Sequence, residues 1–210
     1  MQELLALAGV VAALAVGAVS PGPSFVMVAK EAVSVSRANG IAAAFGMGIG
    51  GVVFASAALL GLQAVLLAVP TVYAALKVLG GLYLCYLGYR IFRGAAEPVA
   101  AAGTASQSNR PMQHSFWLGL STQLSNPKTA IVYASVFAAF LPGSVSWPLA
   151  LLLLLSVFAV EAGWYSVVAA VLSSTAPRRA YLRSKTVIGR VAGAVMIGLG
   201  LRLVTSATKP

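Results

Sequence analysis

VGAVSPGPSFVMVAK, residues 16–30, is apolar enough for hydrocarbon yet carries prolines at Pro21 and Pro23. A proline has no amide donor and crowds the carbonyl four residues earlier, so an unbroken helix cannot pass through this stretch. In a bilayer a freed carbonyl costs several kcal/mol unless protein or trapped water satisfies it. A break at this position therefore needs a compensating use.

The surrounding composition places that break in a membrane. The chain has 210 residues, 60% of them hydrophobic and only 9% charged. A soluble domain carries about 25% charged residues, so the chain is expected to be an integral membrane protein. A helix needs about 20 apolar residues to cross the bilayer. Six runs meet or approach that length: 4–28, 40–69, 72–92, 116–141, 148–172 and 187–204. The N-terminal run resembles a secretory leader, but Glu3 stands where a leader has basic residues, and the run is read as a retained span. Cys85 is the single cysteine, so no intrachain disulfide can form.

Charge then orients the runs. There are 14 Lys+Arg against 4 acidic residues, a net charge of +10. The cations lie scattered between apolar runs, which argues against a nucleic-acid surface and for topological bias. Loops one, three and five and their edges hold Lys30, Arg37, Arg90, Arg93, Arg110, Lys128, Arg178, Arg179, Arg183, Lys185 and Arg190. Only Lys77, Arg202 and Lys209 fall on the other side, a split of 11 to 3. The odd loops are thus expected in the cytoplasm, with six spans and both termini outside. Lys30 and Glu31 read as interfacial anchors at the end of span one.

An internal repeat divides the chain. LGGLYLCYLGYRIF at 79–92 and VAGAVMIGLGLRLV at 191–204 share Gly81/Gly193, Leu87/Leu199, Gly88/Gly200 and Arg90/Arg202, all at an offset of 112. SPGPS in span one corresponds to SNPK, Ser125 to Lys128, in span four. The expected organisation is a first three-span repeat over 1–93, a cytoplasmic linker over 94–114 and a second repeat over 115–210. An odd number of spans per repeat inserts the second one upside down. Inverted repeats with interrupted helices in spans one and four suit a secondary transporter with a midplane site.

The breaks also carry chemistry. Ser125–Asn126–Pro127 is a helix start, with a capping side chain followed by proline where its missing donor costs nothing. Ser20–Pro21 has the same form, and Ser24 offers a second start after Pro23. Such ends present the positive pole of a half-helix and attract a carboxylate. The expected binding residues are Ser20, Pro21, Gly22, Pro23, Ser24, Asn126, Pro127 and Lys128. Glu161, at the centre of span five, is the expected proton-coupling group or partner of a substrate ammonium, with a Glu161–Lys128 ion pair as the structural alternative. The glycines Gly46, Gly48, Gly50 and Gly51 read as close helix packing.

With these motifs in place, the chain resembles the LysE/RhtB-type amino-acid exporters of the bacterial inner membrane. The likeness rests on SPGPSFVMV, LKVLGGLYLCYLGYRIFR, NPKTAIVYASVFAAFLP, VEAGWYS and RVAGAVMIGLGLRL, and covers nearly the whole chain. It implies efflux of amino acids or close derivatives, driven by proton exchange, and homo-oligomerisation. The family's proline-glycine-proline falls on Pro21, Gly22 and Pro23, its Asn-Pro-Lys on Asn126, Pro127 and Lys128, and its fifth-span acid on Glu161. One departure is Gly51, where many members place an Asp in span two, which weakens the case for a cationic substrate. No metal or cofactor is expected, and the sole histidine, His114, excludes histidine-based intramembrane hydrolysis. No Walker sequence is present, which excludes ATP-driven pumping by this chain alone. A channel or a lipid-handling protein is the alternative function.

Overall fold

The computed structural model describes residues 2–20, 22–68, 70–96, 110–142 and 144–207, and these residues form α-helices joined by short turns, with no strand among them. Pro21, most of the expected linker and Lys209 lie outside the described residues, as do the side chains of Lys77, Arg178, Arg179 and Lys185. In chain order the helices are α1 (Gln2–Val19), α2 (Pro23–Ser34), α3 (Arg37–Ala68), α4 (Pro70–Gly94), α5 (Met112–Leu124), α6 (Pro127–Phe140), α7 (Trp147–Leu172) and α8 (Thr175–Ala207). Stretches Arg37–Gly61, Trp147–Leu172 and Thr186–Thr205 are long and apolar enough to cross a bilayer. α1 and α2 together make a fourth candidate, bent by 59° at the proline stretch. The outside of the bundle is apolar, with Leu60, Leu79, Leu151, Leu155 and Leu201 all half or more exposed. A soluble protein could not carry that surface, and lipid can cover it.

Both expected breaks occur where the sequence placed them. α2 starts at Pro23, with extended Gly22 as its N-cap (φ −159, ψ −171) and no side-chain cap. Ser24 therefore does not start the helix; it sits one residue inside it and its hydroxyl is free to bond elsewhere. α6 starts at Pro127, and the Asn126 side chain accepts the Lys128 amide at 3.1 Å. That cap satisfies one of the donors left open by the interruption.

Small residues set how closely the helices approach. α4 and α8 run antiparallel, and a Cβ on Gly81 would lie 2.7 Å from the Gly200 carbonyl oxygen, while one on Gly88 would lie 2.6 Å from that of Gly193. α3 runs antiparallel to α7, with Gly40 against Ala169 and Gly48 against Ala162. α5 lies along α3 in the same direction, backbone against backbone at Gly46–Phe116 and Gly119–Ala43. The glycine run of span two is thus packing, as expected, though Gly51 also meets the Tyr133 hydroxyl and the Glu161 side chain. A methyl at Gly46 has only rigid backbone to displace. Gly46→Ala is expected to cost about 1–3 kcal/mol by overpacking, whereas Gly198→Ala, with no neighbour within 4 Å, should be neutral or slightly stabilising. Thermal unfolding in detergent compares the two.

Two apolar clusters result. One gathers Val10, Leu14, Val132, Val136, Phe137, Leu153 and Val157, chiefly from α1, α6 and α7. The other gathers Phe25, Val28, Ala43, Met47, Val168 and Ala169 from α2, α3 and α7. Between them, at the level of both breaks, lies a layer of buried polar side chains.

Candidate functional site

The polar layer surrounds a cavity of ≈ 20 Å³ lined by residues that include Ser20, Gly22, Ser24, Asn126, Lys128, Tyr133, Glu161 and Tyr165. Seven of the sequence-derived site residues meet there: Ser20, Gly22, Ser24, Asn126, Lys128 and Glu161 line the space, and Pro127 fixes the start of α6 beside it. Pro23 opens α2 but faces outward as an exposed residue. A space of this size accommodates about one water molecule. An amino acid can occupy it only if helices move apart.

Glu161 is 4% exposed, in the middle of α7. Its Oε1 accepts a hydrogen bond from the Tyr133 hydroxyl at 2.9 Å and its Oε2 one from Gln123 Nε2 at 3.1 Å. Gln123 Oε1 in turn accepts from the Ser24 hydroxyl at 2.9 Å, and Ser24 Oγ accepts from Asn126 Nδ2 at 3.0 Å. Every donor in this chain points toward the carboxylate. The chain begins at the cap of α6, passes through the first turn of α2 and ends on α7, so both breaks are wired to the acid. All of Ser24, Gln123, Asn126, Tyr133 and Glu161 are buried. Buried polar groups are tolerated when each has its partner, and here they do.

Lys128 takes a different course from the ion pair weighed as the structural alternative. Its Nζ donates to the Ser20 hydroxyl at 3.0 Å, the Ser20 carbonyl at 3.2 Å and the Gly17 carbonyl at 3.3 Å. Those carbonyls belong to the last turn of α1 and its exit, where an interrupted helix leaves acceptors unpaired and a partial negative charge. One lysine from the second half of the chain thus closes the open end of the first helix. Glu161 and Lys128 share the cavity without a direct bond, and the one ion pair among the described residues joins Arg110 to Glu31 at 3.5 Å.

Glu31 departs from its expected role. Lys30 is exposed, as an interfacial anchor should be, but Glu31 is 2% exposed. α2 presents the two neighbouring residues to different surroundings, and Glu31 points inward onto α5. Sequence reasoning also passed over Gln123 and Tyr133. Their signal was spacing: Gln123 precedes Asn126 by three residues, and Tyr133 follows it by seven, two helical turns later. Polar groups repeated at that interval within an apolar run share a helix face.

A multi-helix membrane bundle, with two interrupted helices closing on a small cavity that holds a buried acid and a cation, has the build of a substrate-translocating protein rather than an enzyme. The LysE type translocator family matches residues 15–207. The chain belongs to that family, whose members are multi-pass translocators of the inner membrane. A threonine efflux protein of Salmonella typhi is 37% identical over 200 residues, covering 91% of this chain and 93% of its own length. A threonine efflux protein of Escherichia coli K12 is 36% identical over 196 residues, with 91% and 93% covered. An uncharacterized membrane protein of Haemophilus influenzae is 28% identical over 192 residues, covering 90% of each chain. No solved structure matches.

Proposed function

We propose that this protein exports small neutral amino acids, threonine or a close analogue among them, in exchange for protons. The observation that carries the proposal is the small cavity between two helix starts with Lys128 on one wall and Glu161 on another. A zwitterion needs both signs of charge in one small space. Its carboxylate suits the positive ends of α2 and α6 and the Lys128 ammonium, and its ammonium suits Glu161. Proton and ammonium would compete for the same carboxylate, which links their fluxes without further machinery. Threonine efflux in relatives 36–37% identical over most of the chain supports the substrate class.

The same proposal includes six spans in two inverted repeats, with Pro21 and Pro23 breaking the first span and Pro127 the fourth. The reciprocal contacts Gly81–Gly200 and Gly88–Gly193 support it. Adding the repeat offset of 112 to Gly81 gives Gly193 and subtracting it from Gly200 gives Gly88, so one contact maps onto the other, as a two-fold relation requires. The family resemblance supports self-association in the bilayer, which the native mass of the solubilised protein tests.

Inverted membrane vesicles test transport. With an acidic lumen, vesicles bearing the protein should take up labelled threonine saturably, and collapsing the proton gradient should stop accumulation. A channel would instead give flux linear in concentration and indifferent to the gradient, and that outcome sinks the exporter. Reporter fusions after residues 69 and 142 should report outside, and those within 95–110 and 178–185 inside. A cytoplasmic signal from the C-terminal tail would make the span number odd and end the inverted-repeat assignment.

A further inference from the structure

α2 and α5 run antiparallel, and polar side chains join them at both ends. At the cavity the Ser24 hydroxyl donates to Gln123 Oε1. At the far end, the Ser115 hydroxyl donates to Glu31 Oε2 at 2.7 Å. Glu31 lies eight residues beyond Pro23, about 12 Å along the helix. The other faces of both helices are held differently. α2 sets Phe25, Val28, Ala29 and Ala32 against the apolar cluster of α3 and α7, and α5 rests backbone to backbone on α3 at Gly46 and Gly119.

The far end is a complete polar knot. Asn39 Nδ2 donates to Ser115 Oγ at 2.8 Å and to the Arg110 carbonyl at 3.1 Å, while Asn39 Oδ1 accepts from the Ser36 hydroxyl at 2.7 Å. Arg110 Nη1 reaches Glu31 Oε1 at 3.5 Å, with its side chain 47% exposed. Glu31, Asn39 and Ser115 are 2%, 5% and 0% exposed. The residues come from loop one and the end of loop three, both placed in the cytoplasm by the cation split.

From this geometry we infer that the α2–α5 seam is the route between cytoplasm and cavity, and that Glu31, Ser115, Asn39 and Arg110 form the latch that closes it. The inference rests on the export reading and its topology. Polar partners make such a closure reversible. When the seam parts, water replaces each lost hydrogen bond, so the net cost of opening is small. The glycine contacts of α5 with α3 have no such replacement, because a gap there forfeits dispersion contacts outright. α5 therefore stays with α3, and the seam opens along its polar ties as α2 pivots on the apolar contacts it keeps with α3 and α7. Arg110, half in water already, is the member positioned to meet an incoming carboxylate.

Cysteine protection tests the latch. In a Cys85→Ala background, Met27→Cys places a thiol on α2 between the two ties, three residues from Ser24 and four from Glu31 on the same side of the helix, at a half-buried position. A membrane-impermeant thiosulfonate applied from the cytoplasmic side should react slowly. Glu31→Ala should speed that reaction about tenfold or more, the population change expected when a charge-assisted bond no longer holds the closed form. Ser115→Ala, which removes a neutral hydroxyl only, should act in the same direction more weakly and covers the case in which Glu31→Ala fails to insert. Reagent applied from the opposite side should show no acceleration. Lys30→Cys, exposed beside the latch, reports sidedness: labelling from the cytoplasm supports the topology, and labelling only from the far side overturns both topology and route. Unchanged protection of Met27→Cys in both latch variants, with Lys30→Cys labelled from the cytoplasm, overturns the latch alone.

Discussion

Glu161→Gln is expected to abolish proton-driven efflux, with a fall of about 10²-fold or more in rate, the scale of a lost proton-transfer group. The side chain keeps its length and still accepts from Tyr133, so shape is not what changes. The oxygen that receives Gln123 Nε2 becomes an amide nitrogen, and two donors then face each other. Gln123 can relieve this by rotating its amide, but its oxygen would then leave the Ser24 hydroxyl. The disturbance therefore travels to both helix breaks, while the variant can no longer take up and release a proton. Glu161→Asp retains the charge but falls one methylene short of its two donors, and partial activity is expected. Substrate binding to Glu161→Gln, read by protection of the protein against thermal unfolding, should persist in weakened form. The rival idea, a structural ion pair with Lys128, predicts that Glu161→Gln with Lys128→Met recovers transport. With no direct bond between the two side chains, no recovery is expected. Efflux restored in the double variant would remove Glu161 from coupling.

Lys128→Met is the second large effect, and it should act on stability and transport together. Methionine fills the same volume but donates nothing. The carbonyls of Gly17 and Ser20 and the Ser20 hydroxyl would lose a charged donor at the end of α1. Unpaired buried acceptors cost about 1–3 kcal/mol each in water-soluble proteins, and interhelical bonds in membranes average nearer 0.6. A net loss of about 1–3 kcal/mol in unfolding free energy is therefore expected, with transport reduced well beyond what that loss explains, since the ammonium also lines the cavity. Pro127→Ala makes the contrast. The break at α6 is held by the Asn126 cap, by Ser24 on the Asn126 amide and by Lys128 on α1, so restoring one amide should leave it standing. Pro127→Ala should retain more transport than Lys128→Met under the same vesicle assay. The reverse order would show that the proline, rather than the side-chain ties, maintains the interruption.

How much of this was legible in the sequence depends on whether a property belongs to one residue or to a pair. The membrane class followed from composition, the break at residues 20–23 from proline's missing amide, and the α6 start from Asn126 and Pro127. Glu161 stood out because an acid in an apolar run is costly wherever that run packs. Each of these is decided by a residue and its immediate neighbours in the chain. Tertiary structure alone decided who meets whom. Lys128 turns to the end of α1 rather than to Glu161, Gln123 and Tyr133 close on the acid, and Glu31 is buried on Ser115 while Lys30 beside it faces out. Such pairings depend on how each helix is rotated and how near its neighbour lies. Those are set by glycine contacts such as Gly46–Phe116 and Gly81–Gly200 between residues far apart in the chain. Local rules fix which groups must find a partner, and only packing of distant helices fixes which partner is within reach.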